Sequence, residues 1–130
     1  MFVDTSVIVA ILSEEEDADE WMEKLEQAPS RFTSALVILE ATMRLSTKLL
    51  VDPREAGSVV ERMLTASDIQ LMPIDREEAG FAIEAFARYG KGRGGPAQLN
   101  LSDCLSYACA KSRGISLLYK GNDFSHTDLA

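Results

Sequence analysis

Histidine and cysteine are scarce in this chain of 130 residues, which holds one histidine and two cysteines. Cys104 and Cys109 form neither a CxxC motif nor a secreted disulfide framework, so we expect both in the core of a protein from a reducing compartment, the cytoplasm. His126 stands alone in the C-terminal tail, which leaves a Cys/His zinc site without support. Ser6 and Thr5 have no histidine base nearby in sequence, so a serine hydrolase is not expected.

Other common signatures are also missing. No Walker motif occurs, which excludes the usual P-loop for nucleotide phosphates. The longest apolar run, from Val7 to Leu12, is far too short to span a bilayer. Asp4 and the absence of a basic leading region exclude an ordinary signal peptide. With 46% hydrophobic and 26% charged residues and no repeat or long linker, the sequence predicts one soluble globular domain over residues 1–130.

The charge is unevenly distributed. The chain has 21 acidic and 13 basic residues, for a net charge of −8. Eight of the acids lie between residues 14 and 26, beside the single base Lys24. Between Arg88 and Lys120 the balance reverses, with six bases around one acid, Asp103. The net charge therefore does not exclude a nucleic-acid ligand, because one local region is basic.

Hydrophobic patterns and capping residues predict an α/β fold. Short apolar stretches at residues 1–3, 31–34, 69–74 and 115–119 are typical of strands. Helices are predicted between them, one from Val7, an acidic one over residues 14–26, and others over 35–48, from Pro53 and from Asp75 to Gly90. The last helix is predicted to end near Gly114, with Asn100 or Ser102 as its cap. In the helix over 35–48 we expect Leu36, Leu39 and Met43 on the buried face. Alternation of strands and helices predicts a mostly parallel sheet covered on both faces.

Four carboxylates stand where a surface role does not fully explain them: Asp4, Glu40, Asp103 and Asp123. Each has a structural alternative. Asp4 and Asp103 are also suited to cap helices, Asp123 to a turn, and Glu40 to an ion pair with Arg44 or Arg62. Glu40 shares its helix face with Leu36 and Met43, so its charge requires a partner.

The joint placement of these acids favours a metal site. In an open parallel sheet, ligands bind outside the carboxyl ends of the strands, and all four residues are predicted at that edge. Two like charges about 4 Å apart at an effective dielectric near 20 repel by roughly 4 kcal/mol, so a cation or protonation is needed. All-oxygen ligands select Mg²⁺ or Mn²⁺, which suits hydrolysis of a phosphodiester by a metal-activated water. Ser6 either orients that water or caps its helix.

The ordered set of motifs resembles the PIN domain, and more closely the VapC-type toxin ribonucleases of type II toxin–antitoxin modules. The resemblance is carried by Phe2-Val3-Asp4-Thr5-Ser6, the helix with Glu40, Leu99-Asn100-Leu101-Ser102-Asp103 and Leu117-Leu118-Tyr119-Lys120-Gly121-Asn122-Asp123-Phe124. It implies a three-layer α/β/α sandwich and an Mg²⁺- or Mn²⁺-dependent endoribonuclease. Asp4, Asp103 and Asp123 would be metal ligands, Glu40 the fourth acid, and Ser6, beside Thr5, the hydroxyl near the metal.

The same resemblance implies a homodimer and a cognate antitoxin that inserts a segment into the active-site groove. Many relatives carry a further acid at the position of Gly121 in this chain, so a second metal site is in question. The cation-rich region around Asp103 predicts that the groups holding RNA phosphates are among Lys91, Arg93, Lys111, Arg113 and Lys120.

Three alternatives remain open from the sequence. A PIN nuclease in RNA processing would carry the same residues as a toxin. A signalling receiver domain is also a small α/β unit with an acidic Mg²⁺ pocket, although it requires paired acids after its first strand, where this chain has Asp4 alone. A non-catalytic binding module is disfavoured because all four acids are present.

Overall fold

Four short strands alternate with six helices in the computed structural model, which describes residues 1–130. The strands are β1 (Phe2–Val3), β2 (Arg31–Thr33), β3 (Ile69–Leu71) and β4 (Leu117–Leu118). The helices are α1 (Thr5–Leu12), α2 (Ala18–Gln27), α3 (Ala35–Leu49), α4 (Pro53–Ala66), α5 (Arg76–Tyr89) and α6 (Leu101–Arg113). None of the six helices is both long and apolar enough to cross a lipid bilayer.

The sheet is entirely parallel, with strand order β3-β2-β1-β4. β1 is central, and Phe2 pairs with Phe32 on one side and with Leu117 on the other. Phe2 and Val3 are fully buried, as expected for a strand that is covered on both faces. The backbone NH of Asp4 continues the ladder by donating to the carbonyl of Leu118 at 3.0 Å. The predicted parallel α/β architecture is therefore confirmed.

Helices enclose this sheet in two packed groups. α5 packs along α6, and α6 contacts β1 and β4. α3 packs against α1 and α4, and α2 packs against α1. A core of 24 buried residues joins the layers. The expected three-layer arrangement is thus present, and its helices α1, α3 and α6 bring their N-terminal halves toward the ends of the strands.

Capping residues mark several helix ends as predicted. Asp52 accepts a hydrogen bond from the backbone NH of Arg54 at the start of α4, and Asp75 forms a capping box with Glu78 at the start of α5. Gly114 ends α6 with φ of 62°, a conformation that favours glycine. Asn100, rather than Ser102, caps α6.

Two sequence predictions were wrong in detail. The acidic segment does not form one helix over residues 14–26, because Ser13 ends α1 and Glu14 adopts φ of 54°, so α2 begins only at Ala18. The buried face of α3 was also misassigned.

That face consists of Val37, Ala41 and Leu45, whereas Leu39 and Met43 are 57% and 59% exposed. Packing against α1 and α4 selects the stripe with a spacing of four, and it leaves the larger apolar side chains at the surface.

Candidate active site

Asp4 ends the central strand and begins the first helix. Its Oδ2 accepts hydrogen bonds from the backbone NH of Ser6 at 3.1 Å and from the Ser6 hydroxyl at 2.7 Å. The carboxylate is only 7% exposed. Burial raises its pKa, and the hydrogen bonds from Ser6 oppose that rise. Asp4 is therefore the cap of α1 and lies at the carboxyl edge of the sheet. Its burial there makes the charged form of the carboxyl energetically costly.

Asp103 lies in the first turn of α6, where it forms a capping box with Asn100. Its Oδ2 accepts from the backbone NH of Asn100 at 3.1 Å, while Asn100 Oδ1 accepts from the backbone NH of Asp103 at 2.9 Å. Burial raises the pKa of the Asp103 carboxyl to about 7, and the charges of Asp123, Asp4 and Glu40 add to the rise. These three acids must lie close enough to Asp103 to act on it through a partly buried medium.

Glu40 reaches the same region from α3. Its Oε2 accepts a hydrogen bond from the hydroxyl of Ser102 at 2.6 Å, across 62 residues of sequence. Neither Arg44 nor Arg62 lies within 4.0 Å of it. The ion-pair alternative is therefore wrong, and Ser102 is a site residue that the sequence analysis considered only as a cap. Ser102 immediately precedes Asp103 in the sequence, and this is the feature from which its place at the site could have been predicted.

Asp123 completes the group from the loop that follows β4. It is exposed and contributes to the raised pKa of Asp103. The structure thus brings Asp4, Glu40 and Asp123 around Asp103. No three His, Cys, Asp or Glu side chains already stand close enough together to hold a metal ion. The ligand roles predicted for these acids remain predictions.

A chain of hydrogen bonds links the two strand ends that carry Asp4 and Asp123. The backbone NH of Lys120 donates to Ser6 Oγ at 2.9 Å, and that hydroxyl donates onward to Asp4. Ser6 therefore takes part in the cap and also joins the two strand ends, and its role beside a metal stays a prediction. The Thr5 hydroxyl is buried and has no hydrogen-bond partner.

Gly121 has a backbone reason to be glycine. Its φ is 102°, in the region that side-chain-bearing residues rarely adopt. An acid at this position would be strained in the present loop. The departure from the pattern of relatives at Gly121 is therefore a property of the loop conformation as well as of the sequence.

The predicted phosphate-binding cations fall into two groups. Three of them contact other side chains of the protein or lie far from Asp103. Lys120 pairs with Glu15 and Asp17, Lys111 pairs with Asp128 at 2.7 Å, and Arg113 lies over the ring of Phe32. The last two are also far along α6. Lys111 is eight residues and Arg113 ten residues beyond Asp103, which is about 12 and 15 Å along the axis.

Their pairing or their distance from Asp103 makes these three less available to RNA, and their predicted role stays a prediction. Lys91 and Arg93 are exposed and without ion pairs in the loop before α6, with Arg93 over the ring of Phe86. They remain predicted RNA contacts. His126 is exposed, and Cys104 and Cys109 are buried free thiols.

Comparison with known proteins gives a consistent family. The family model described as PIN domain matches residues 1–129. A VapC ribonuclease of Rhizobium meliloti is 42% identical over 139 residues, covering 98% of each chain. Ribonuclease VapC42 of Mycobacterium tuberculosis is 41% identical over 129 residues, covering 99% of this chain and 96% of its own.

A solved structure agrees in fold. Mycobacterium tuberculosis VapC20, described as a sarcin-ricin loop cleaving toxin, superposes with a TM-score of 0.77 over 99% of this chain and 95% of its own. Its sequence identity is 18%, so this likeness concerns the fold alone.

Proposed function

The chain belongs to the PIN domain family, and on that premise we propose that it is a divalent-metal-dependent endoribonuclease, the toxin of a toxin–antitoxin pair. The observation that carries the proposal is that three carboxylates from distant segments, Asp4, Glu40 and Asp123, act on the buried carboxyl of Asp103. Relatives about 40% identical over nearly the whole chain are named as ribonucleases, which supports RNA as the substrate.

The donor set fits a hard divalent cation. Asp4, Glu40, Asp103 and Asp123 offer only carboxylate oxygens, the ligands that Mg²⁺ and Mn²⁺ prefer. The capping bonds of Asp4 and Asp103 use Oδ2 of each residue, so the caps themselves do not occupy Oδ1. Drawing the four side chains into one coordination shell requires side-chain movement, since no ready-made cluster is present.

A divalent cation held by these acids would supply the activation of water and the neutralisation of charge on the phosphate oxygens. Neighbouring residues orient the acids that would bind the cation. Ser6 and Asn100 orient Asp4 and Asp103 through hydrogen bonds to Oδ2, and Ser102 orients Glu40. Asp123 is exposed at the mouth of the site, so a polymer is able to reach the acids without threading into the core.

The partners of the proposed toxin are an antitoxin protein and a second copy of the chain. An apolar groove of about 520 Å³ runs between α5 and α6 and is lined by Ile83, Phe86, Leu101 and Leu105 among others. Ile83 is 68% exposed. Exposed apolar surface of this kind is typical of protein interfaces, which supports the proposed homodimer. Free buried cysteines are in keeping with a cytoplasmic site of action.

Cleavage of RNA tests the function. Purified protein is incubated with total cellular RNA in Mg²⁺, in Mn²⁺ and in EDTA, beside Asp4→Asn and Asp103→Asn, and the new RNA ends are mapped. We expect discrete cleavage by the wild-type protein with metal, and none in EDTA or with either variant. An exposed acid outside the site, Asp19→Asn, is the matched control and should cleave normally. Cleavage that persists in EDTA or in both site variants would reject the metal mechanism.

A further inference from the structure

Arg44 lies one helical turn beyond Glu40 on α3 and faces the same side of the molecule. The opposite side of α3 is defined by Thr42, because a Cβ placed on Gly57 of α4 would lie 3.6 Å from Thr42 Cγ2. Glu40 and Arg44 are each two residues from Thr42, which rotates each of them by about 160° to 200° around the helix axis. Both side chains therefore point away from α4, toward the side that carries the acidic site.

The positive charge of Arg44 is not compensated within the protein. The side chain is exposed, and no carboxylate lies within 4.0 Å of its guanidinium. The acid that lines the same groove, Glu15, is already bridged by Lys48 at 2.8 Å and by Lys120. The guanidinium of Arg44 is therefore an uncompensated positive charge on the same side of α3 as Glu40.

Arg44 opens onto a polar groove between α1 and α3. The groove has a volume of about 410 Å³ and is lined by Val9, Glu15, Met43, Arg44, Thr47 and Lys48. That volume falls within the range of sites for small ligands. Arg44 and Thr47 are three residues apart on one helix, so a cation and a hydroxyl donor stand side by side. The exposed Met43 adds an apolar surface next to them.

We propose that this groove binds a phosphate of the RNA backbone that flanks the scissile one, with the Arg44 guanidinium as its principal donor. The inference rests on the proposed function. A cluster of acids repels an incoming polyanion, so productive binding needs an uncompensated cation close by. The planar fork of arginine donates two parallel hydrogen bonds to phosphate oxygens, which makes it better suited to this task than a lysine.

The other cations predicted or found around the site are less available for this role. Lys120 and Lys48 are held by acids of the turn after α1, and Lys111 is held by Asp128. Lys91 and Arg93 lie on the other approach to the site, in the loop before α6. Arg44 is thus placed to hold the strand of RNA on the α3 side, and those two residues on the α6 side.

The test is steady-state cleavage of a short fluorogenic single-stranded RNA in Mg²⁺, across a series of salt concentrations. Four proteins are compared: wild type, Arg44→Gln, Arg44→Lys and Arg62→Gln. Arg62 is the matched control, because it is exposed, makes no ion pair and lies on α4. For Arg44→Gln we expect kcat/KM to fall roughly tenfold at low salt, mainly through KM. The slope of log kcat/KM against log salt should become shallower by about 0.7, the value for one phosphate contact on a single strand.

Arg44→Lys should keep the salt slope because it keeps the charge, and Arg62→Gln should match the wild type. The loss in Arg44→Gln should be equal for RNAs of different sequence, since a phosphate contact carries no base information. Equal salt slopes for Arg44→Gln and Arg62→Gln would overturn the proposal, as would a fall in kcat alone. The proposal would also be overturned if Arg44→Gln cleaved like wild type and lost only the binding of a protein partner. A wild-type protein without activity in Mg²⁺ and Mn²⁺ is a different outcome, because it rejects the proposed function itself.

Discussion

At the scale of single residues, the two buried aspartates cap helices, and both are also proposed metal ligands. Asp4 and Asp103 each accept capping hydrogen bonds at one oxygen. From the sequence, capping and ligation were competing explanations for both residues. The structure removes the competition, because a carboxylate has two oxygens with separate lone pairs.

The sequence predicted that Asp4, Glu40, Asp103 and Asp123 lie at one edge of the sheet, because the carboxyl ends of parallel strands meet there. The contacts that these residues make were not predictable from local sequence. The hydrogen bond from Ser102 to Glu40 spans 62 residues, and it depends on the relative placement of α3 and α6. The same holds for Lys120, whose ion pairs with Glu15 and Asp17 span more than 100 residues.

Asp103→Asn should stabilise the metal-free protein at pH 8. The folded-state pKa of Asp103 is raised from 3.8 to about 7, so the folded protein holds this proton more tightly than the unfolded chain. Stability from this group therefore falls as pH rises from about 4 to about 7 and stays low above it. Asparagine removes the penalty and retains an oxygen for the cap, which we expect to add about 1–2 kcal/mol to the free energy of unfolding.

The measurement is urea unfolding in EDTA at pH 8 and pH 5. The gain from Asp103→Asn should be present at pH 8 and smaller at pH 5, where the wild-type carboxyl is already protonated. If the variant is less stable at both values, capping is the dominant role of Asp103, and the acidic site contributes no strain.

At the scale of helices and strands, the sequence predicted which segments form helices but not which face of a helix is buried. Capping residues and the stop at Gly114 placed α4, α5 and α6 well. The face of α3 was misread because Leu36, Leu39 and Met43 form one apolar stripe while Val37, Ala41 and Leu45 form another. Either stripe has the spacing of a buried helix face. Which of them is buried depends on the helices that pack against α3, and the periodicity of α3 does not contain that information.

The turn between α1 and α2 is tied to the end of β4 by Lys120. Its ammonium pairs with Glu15 and Asp17, and Lys48 also pairs with Glu15. Hydrogen bonds from Lys120 and Lys48 lower the pKa of Glu15 from 4.5 to about 2. A carboxyl with a depressed pKa stabilises the fold above its unfolded pKa, and that stability is lost as pH falls from about 4.5 toward 2.

Replacing Lys120 by methionine should weaken this pH dependence. We expect Lys120→Met to have a lower Tm than wild type at pH 7, and the difference should narrow as the pH is lowered to 3. Lys91→Met removes an exposed, unpaired lysine and should show no such narrowing. Thermal unfolding followed by circular dichroism gives the comparison. A Tm difference that is the same at pH 7 and pH 3 would show that the ion pairs do not stabilise the turn.

At the scale of the whole molecule, the parallel sheet and its helical layers were predictable, while the surface was not. Strand and helix alternation predicted the architecture, and strand order β3-β2-β1-β4 emerged only from the structure. The family match leaves the receiver-domain alternative without support. The apolar groove between α5 and α6 is formed by side chains of both helices, so the sequence of one helix alone does not predict it.

Ile83→Glu should disrupt the proposed homodimer. A buried charge in an apolar interface is costly, so we expect the variant to be monomeric at concentrations where wild type is dimeric. Leu49→Glu places the same charge at another exposed apolar position, at the end of α3, and should stay dimeric. Size-exclusion chromatography with light scattering measures the masses. A wild-type monomer, or an Ile83→Glu dimer, would contradict the assignment of this groove.

The most direct test of the acidic site is Mn²⁺ binding followed by electron paramagnetic resonance at pH 8. Wild type is titrated beside Asp4→Asn, Glu40→Gln, Asp103→Asn and Asp123→Asn, with Asp19→Asn as the control. If the four carboxylates serve one ion, each site variant weakens Mn²⁺ binding by roughly 10–100-fold while the control does not. Wild-type protein that binds no Mn²⁺, or site variants that all bind it as wild type does, would contradict the account.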